Sequence, residues 1–224
     1  MPESVSHDLS RARERLLVEL SREVTDERVL DAIRRVPREL FVPIELRAVA
    51  YENRPLMIGY GQTISQPCMV ARMTELCELQ PTDRVLEVGA GCGYQTAVLA
   101  RLCHHVYALE LIDALAEQAK AALAEAALAS AELDVASITL RQGDGSRGWA
   151  EHAPFDSILV AAGAPAVPTP LVEQLADGGR LVIPVGRSRG LQVLQVHRRS
   201  GESVRCTDDT ACRFVDLQGE HGWS

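Results

Sequence analysis

A glycine-rich turn at residues 89–93 is the strongest chemical signal in this sequence. It follows an apolar strand pattern over 84–88 and precedes a helical pattern over 94–103. A dinucleotide site needs its third glycine one residue later, where Tyr94 stands. Glu87 places a carboxylate at the end of the strand, where it would repel a pyrophosphate and attract a sulfonium cation. The turn therefore predicts an S-adenosylmethionine site, with cofactor contacts from Glu87, Gly89, Gly91 and Gly93.

Two later signals complete the predicted cofactor site. A second strand pattern ends at Glu110, about twenty residues after the turn, where a carboxylate accepts hydrogen bonds from both ribose hydroxyls. We also expect a cofactor contact from its neighbour Leu111. After a third strand pattern, Asp144 can accept from an adenine amino group and Gly145 lets the backbone approach a ligand. Each signal alone is typical of a turn or strand end, but three in this order favour a cofactor site.

These residues require an α/β fold that brings strand ends together. Strands alternating with helices predict a doubly wound, mostly parallel sheet. The predicted strands are 84–88, 105–110, 137–141, 155–161 and 180–185, followed by an antiparallel hairpin of 191–197 and 203–206. The predicted helices are 8–22, 26–35 with Thr25 as N-cap, one starting at Pro67, 94–103, 113–129 and 169–176.

Length and composition favour one domain over residues 1–224. At 224 residues and 46% hydrophobic, the chain can bury one sizeable core. We expect a helical extension at about 8–52, then an acceptor segment and cofactor-binding core at about 53–217. We also expect a monomer, although the sequence does not determine oligomeric state.

Charge and cysteine spacing argue against several other classes. The net charge is −8, and no basic run is interleaved with aromatic residues, so we expect no nucleic-acid partner. No apolar run approaches the ~18 residues of a membrane span, and the N-terminal region lacks a signal core, so we expect a cytoplasmic protein. The six cysteines show no ligand spacing, so we expect no metal.

Seven segments together resemble the protein-L-isoaspartate O-methyltransferase family, from about residue 10 to 217. GQTISQP at 61–67 is the most specific, because general methyltransferases share the cofactor loops but not this segment. The others are VPRELFVP at 36–43, LEVGAGCGYQTAVLA at 86–100, GDG at 143–145, PFDSILVAAGAP at 154–165, LADGGRLVIPVG at 175–186 and RFVDL at 213–217.

The resemblance implies a Rossmann-like methyltransferase sheet and a substrate. The family transfers methyl from S-adenosylmethionine to the free α-carboxylate of L-isoaspartyl residues in damaged peptides and proteins, which starts their repair. Ser65 matches the serine of the family's active-site segment, and the closing strand lines the peptide groove. The acceptor contacts implied are Thr63, Ile64, Gln66, Pro67 and Val215.

The chemistry is consistent with that substrate. A carboxylate with a reference pKa of ~3.5 is already deprotonated at neutral pH, so no catalytic base is required. None of the six histidines stands at an obvious acceptor position. Ser65 need only donate a hydrogen bond. Thr63 and backbone N–H groups of 64–67, at the start of a helix, would help hold the carboxylate.

Two departures from the family pattern concern the acceptor side. Cys68 stands where the family usually has an aromatic residue or histidine, and Asp216 replaces a usual proline. Asp216 adds an anion near the predicted acceptor site, which could narrow the range of peptides. Two alternatives therefore stay open: a methyltransferase acting on another small acceptor, and a catalytically inactive cofactor-binding module. Both predict cofactor binding without turnover on isoaspartyl peptides.

Overall fold

The computed structural model describes residues 3–129, 133–188 and 190–223. Within these ranges a seven-stranded sheet comprises β3 (Arg84–Val88), β4 (His105–Glu110), β5 (Ile138–Gln142), β6 (Phe155–Val160), β7 (Leu175–Ser188), β8 (Leu191–Ser200) and β9 (Ser203–Cys212). A separate hairpin comprises β1 (Leu56–Gly59) and β2 (Gln62–Ile64). The helices are α1 (Glu3–Leu20), α2 (Glu27–Arg35), α3 (Pro67–Leu76), α4 (Tyr94–Ala100), α5 (Asp113–Ala129) and α6 (Thr169–Glu173).

The sheet order is β5-β4-β3-β6-β7-β8-β9, and this confirms the predicted fold class. Strands β3 to β7 are parallel to their neighbours, whereas β8 and β9 continue the sheet as an antiparallel hairpin. The chain leaves β3 toward β4 on one side and returns to β6 on the other. This reversal makes the carboxyl end of β3 a topological switch point, where open α/β sheets bind ligands.

Several predicted boundaries differ from the structure: α1 ends at Leu20 rather than 22, α4 at Ala100 rather than 103, and β7, β8 and β9 are all longer than predicted. Two further differences have tertiary reasons. The helix expected over 169–176 ends at Glu173, because Leu175 pairs with Phe155 at the start of β7. The cap of α2 is Asp26, whose carboxylate accepts from the N–H of Arg28. Thr25 instead donates from its backbone N–H and its hydroxyl to the Glu75 carboxylate of α3. The hydroxyl expected to cap α2 is therefore bonded to a residue distant in sequence.

The N-terminal helices pack on the face of the sheet that carries α4 and α5. Leu20 of α1 and Ile33 of α2 are 1% exposed and belong to the same apolar cluster as Tyr94 and Leu123. Ile64, at the end of β2, is buried in that cluster as well. The N-terminal extension and the end of β2 in the acceptor segment therefore pack in one apolar cluster.

No helix within the described ranges is long and apolar enough to cross a membrane.

Candidate functional site

A cleft of about 600 Å³, counting the space open to solvent, lies at the switch point, beside the carboxyl ends of β3, β4 and β6. Its wall is formed by the strand ends together with two further segments, residues 62–63 and 215–218. The lining residues are Gln62, Thr63, Val88, Gly89, Gly91, Leu109, Glu110, Leu111, Ile112, Gly145, Ala161, Ala162, Val215, Asp216, Leu217 and Gln218.

The glycine turn is held against β4 by its backbone. The N–H groups of Gly89 and Ala90 both donate to the carbonyl of Leu109, at 2.8 and 3.1 Å. Gly91 has a φ of +55°, which side-chain-bearing residues rarely adopt, and a Cβ there would lie 3.3 Å from Ile58 Cδ1. A substitution at Gly91 would therefore strain the turn and crowd the cleft it lines.

Glu110 connects the end of β4 to the glycine turn. Its Oε2 accepts from the N–H of Gly91 at 2.7 Å and its Oε1 from the N–H of Ile112 at 2.9 Å. The residue is 6% exposed and lines the cleft. Each carboxylate oxygen can accept a further bond, so the geometry suits a ligand with two adjacent hydroxyls.

Asp144 is placed differently from the sequence expectation. Its carboxylate accepts from the N–H and hydroxyl of Ser146 and, at 2.8 Å, from the N–H of Glu220 near the C-terminus. Partial burial acts to raise the pKa of Asp144, but these hydrogen bonds outweigh it and the pKa is lowered. Asp144 thus fastens the C-terminal segment, while the next residue, Gly145, lines the cleft against Val88.

Glu87 also lies outside the cleft wall. Neighbouring strand residues point to opposite faces, so Val88 lines the cleft while Glu87 points away from it and is fully buried. Its Oε2 accepts from the Thr96 hydroxyl of α4 at 2.6 Å. Burial raises the pKa of Glu87 to about 8. The side chain is therefore largely neutral at pH 7 and joins β3 to α4, which differs from the expected partner of a sulfonium.

Ser65 faces the glycine turn across a second, smaller cavity of about 410 Å³. Thr63, Gly89, Gly91 and Ala161 line both spaces, so the cavity adjoins the main cleft. The rest of its wall is Ile64, Ser65, Val70, Met73, Ala90, Cys92, Tyr94 and Gln95. The structure thus brings the predicted acceptor residues 63–65 next to the predicted cofactor loop.

The other predicted residues of the acceptor segment and turn form helix starts. Gln66 is the N-cap of α3 and donates from Nε2 to the carbonyl of Asn53, and Pro67 is the buried first residue of that helix. Gly93 is the N-cap of α4, and a Cβ there would contact Ala119 and Leu123. None of the three lines either cavity, because each is committed to packing at a helix end.

The first turn of α3 offers less to an anion than its sequence suggests. Pro67 has no N–H, and the N–H of Cys68 donates to Asn53 Oδ1 at 3.1 Å. The N–H groups of Met69 and Val70 donate to the carbonyl of Gln66. The N–H groups of residues 68–70 are therefore already bonded, and Pro67 contributes none of the backbone donors predicted at 64–67.

The segment after β9 supplies another wall of the cleft. Gly163, just after β6, donates to the carbonyl of Val215 and accepts from the N–H of Leu217, both at 2.8 Å. This pairing brings Val215 and Asp216 into the lining. Sequence reasoning missed Gln62, Val88, Leu109, Ile112, Ala161, Ala162, Leu217 and Gln218. The residues at strand ends could be expected because the carboxyl ends of parallel strands share one edge of the sheet, whereas Leu217 and Gln218 reach the cleft only through the fold.

The lining lacks a basic catalyst and a metal cluster. No histidine lines either cavity among the described residues. Burial raises the pKa of the Cys92 thiol to about 11, which keeps it protonated at neutral pH. Across the described ranges, no group of three His, Cys, Asp or Glu side chains is arranged to hold a metal ion.

Comparison with known sequences gives one consistent result. The family described as protein-L-isoaspartate(D-aspartate) O-methyltransferase matches residues 11–222. The chain is 48% identical over 215 residues to protein-L-isoaspartate O-methyltransferase 1 of Rhodopseudomonas palustris, covering 95% of this chain and 85% of the relative. It is 51% identical over 205 residues to the protein-L-isoaspartate O-methyltransferase of a Roseiflexus species, covering 92% and 90%.

Solved structures agree on the fold. A protein-L-isoaspartate O-methyltransferase structure superposes with a TM-score of 0.81 at 28% identity, covering 94% of this chain and 67% of the other. A second, described as a putative member from Plasmodium falciparum in complex with S-adenosyl-L-homocysteine, has a TM-score of 0.77 at 24% identity, covering 92% and 98%.

Proposed function

Since the chain belongs to the protein-L-isoaspartate(D-aspartate) O-methyltransferase family, we propose that it methylates the free α-carboxylate of L-isoaspartyl residues in peptides and proteins. The cofactor is S-adenosylmethionine. The observation that supports the proposal best is the joined pair of cavities, in which residues 63–65 face the glycine turn. An acceptor on one wall would meet a cofactor on the other.

The cleft fits the cofactor by its own chemistry. The Glu110 carboxylate can accept from two ribose hydroxyls while it orders the N–H of Gly91. Gly91 and Gly145 let a ligand approach the backbone at two points of the lining. We propose that Gly89, Gly91, Glu110, Leu111 and Gly145 contact the cofactor, and that Glu87, Gly93 and Asp144 hold the surrounding elements in place.

On the acceptor side, we assign the catalytic role to Ser65. When bound, S-adenosylmethionine supplies a methyl group, which forms a bond to a carboxylate oxygen while the bond to sulfur breaks and its electron pair stays on sulfur. The Ser65 hydroxyl would donate a hydrogen bond that aligns the carboxylate, with Thr63, Ile64 and Val215 shaping the pocket. Alignment alone can lower a barrier by roughly 7–11 kcal/mol, and an ionised acceptor needs no base.

The decisive experiment compares two peptides that differ only in aspartate or isoaspartate. The protein is incubated with each peptide and methyl-labelled S-adenosylmethionine, and base-labile methyl ester is counted. We expect label on the isoaspartyl peptide alone. Label on neither peptide, with cofactor binding intact, would overturn the proposal and favour a binding module. Label on neither peptide but on a small metabolite would favour the other methyltransferase class.

The pH dependence of turnover tests the mechanism separately. Neither a carboxylate nor a serine hydroxyl titrates between about pH 6 and 8, so kcat should be flat there. A steep rise across that range that persists in Ser65→Ala would reveal a base and contradict a carboxylate acceptor.

We further propose that the protein acts as a single-domain, cytoplasmic monomer on peptide substrates, without nucleic acid. Its net charge of −8 does not suit a phosphate backbone. All six cysteines are free, as in a reducing compartment. Sedimentation velocity at micromolar concentration tests the monomer; a stable dimer would contradict it.

A further inference from the structure

Arg38 is a fully buried arginine behind the acceptor segment. It lies in a short helical turn, Arg38–Phe41, and its exposed fraction is 0%. Its Nε donates to the carbonyl of Ala50 and its Nη2 to the carbonyl of Ser65, both at 2.8 Å. Burying a guanidinium costs several kcal/mol unless it is well bonded. Its acceptors are two neutral carbonyl oxygens, one of which belongs to the proposed catalytic residue.

The same guanidinium contacts the residue that follows the glycine turn. Arg38 Cζ lies 4.7 Å from the centre of the Tyr94 ring, and the edge of Phe41 packs on that ring at 5.6 Å. Tyr94 begins α4 directly after Gly93 and lines the cavity opposite Ser65. One rigid group therefore touches both sides of the space where acceptor and cofactor would meet.

We propose that Arg38 is a positioning residue for methyl transfer, holding the Ser65 carbonyl against the Tyr94 ring and so fixing the acceptor segment relative to the glycine turn. This inference rests on the proposed function. The planar fork of arginine suits the role, since it bonds two carbonyls while its flat face stacks on a ring. A lysine keeps the charge but cannot reproduce both contacts.

The test is a double-mutant cycle of Arg38→Lys and Ser65→Ala, assayed for kcat and KM on an isoaspartyl peptide and for S-adenosylhomocysteine affinity by calorimetry. We expect Arg38→Lys to lower kcat about tenfold or more while cofactor affinity stays within about twofold. In the Ser65→Ala background the same change should cost less than about threefold, because Arg38 acts through Ser65. A merely structural role would give equal losses in both backgrounds.

Arg180→Lys is the matched control. Arg180 of β7 is also a mostly buried arginine, but it donates to the carbonyl of Cys77 and pairs with Glu78 instead of contacting the acceptor segment. Its kcat should stay near wild type. If Arg38→Lys does not fold, Arg38→Met is used instead, because a methionine side chain of similar length avoids the cost of burying a charge. Its loss of kcat should likewise be smaller in the Ser65→Ala background than in wild type.

The outcomes separate this inference from the proposed function. A wild-type protein that methylates no isoaspartyl peptide overturns both. An active wild type in which Arg38→Lys has normal kcat, or in which its loss adds fully to that of Ser65→Ala, overturns the role of Arg38 alone.

Discussion

The cofactor wall of the site (residues 89–92 and 110–112) and its acceptor wall (62–65 and 215–216) differ in what holds them. Backbone hydrogen bonds from adjacent parallel strands, together with the Glu110 carboxylate, fix the cofactor wall. The segment that carries Ser65 depends instead on side-chain contacts outside the large sheet: the Arg38 guanidinium donates to the carbonyl of Ser65, and the amide of the adjoining Gln66 donates to the carbonyl of Asn53. Changes in the first wall should therefore alter cofactor affinity, and changes in the second should alter turnover.

The largest expected effect is that of Gly91→Val on the cofactor wall. The positive φ disfavours a β-branched residue at this position of the cleft lining, and its Cβ would lie 3.3 Å from Ile58 Cδ1 of the apolar core. Cofactor affinity measured by calorimetry should fall by about 100-fold or more, or roughly 3 kcal/mol. Gly178→Val is the matched control, since Gly178 has a φ of +79° and a Cβ added there would have no other atom within 4 Å. Equal cofactor affinity in both variants would show that the turn has been misassigned.

Glu110→Ala should weaken cofactor binding somewhat less. It removes a charge-assisted contact to the ribose and frees the N–H groups of Gly91 and Ile112, at a cost of roughly 1.5–3 kcal/mol. Glu110→Gln, which keeps one carbonyl acceptor, should retain part of the affinity. Unchanged calorimetric affinity in a folded Glu110→Ala protein would remove this residue from the site.

Ser65→Ala tests the acceptor wall. The loss of one hydrogen bond to a carboxylate in a desolvated site should lower kcat by about ten- to a hundredfold, near 2 kcal/mol, with cofactor affinity nearly unchanged. Ser65→Thr keeps the hydroxyl and should keep part of the activity. A Ser65→Ala protein that lost cofactor affinity along with turnover would contradict the division between the two walls.

The smallest effect on cofactor affinity and turnover is expected for Glu87, which lies beneath the cofactor wall. Its titration should instead change how the stability of the fold depends on pH. Burial raises the pKa of Glu87 from 4.5 to about 8, so its contribution to folding is full below pH 4.5 and is lost as the pH rises through 8. Glu87→Gln is neutral at every pH. Denaturant unfolding should show wild type losing stability relative to this variant as the pH rises toward 8. Parallel pH profiles would show that Glu87 is ionised in the native protein.

The sheet and the cofactor wall were largely predictable. The strands β3, β4 and β6 are each mainly apolar, and α5 begins and ends at its predicted residues. Glycines at a strand end and a carboxylate after the next strand are local signals with a fixed spatial consequence. The carboxyl ends of parallel strands must lie at one edge of the sheet.

The direction of individual side chains was harder to predict. Glu87 and Asp144 occupy the expected positions along the chain, yet one points toward α4 and the other binds the backbone of Glu220. Both outcomes follow from partners that are not neighbours in sequence. Spacing alone does not reveal which face of a strand end stays open.

The sequence by itself determined the order of strands and helices, the glycine turn and the position of the Glu110 carboxylate, because these depend on local periodicity and on backbone conformation. Only the tertiary structure decided that residues 63–65 face that turn, that the segment at 215–216 closes the cleft, and that Arg38 reaches the carbonyl of Ser65. The reason is physical: such contacts join segments separated by tens of residues, and their geometry is fixed by the packing of the whole core rather than by any pattern along the chain.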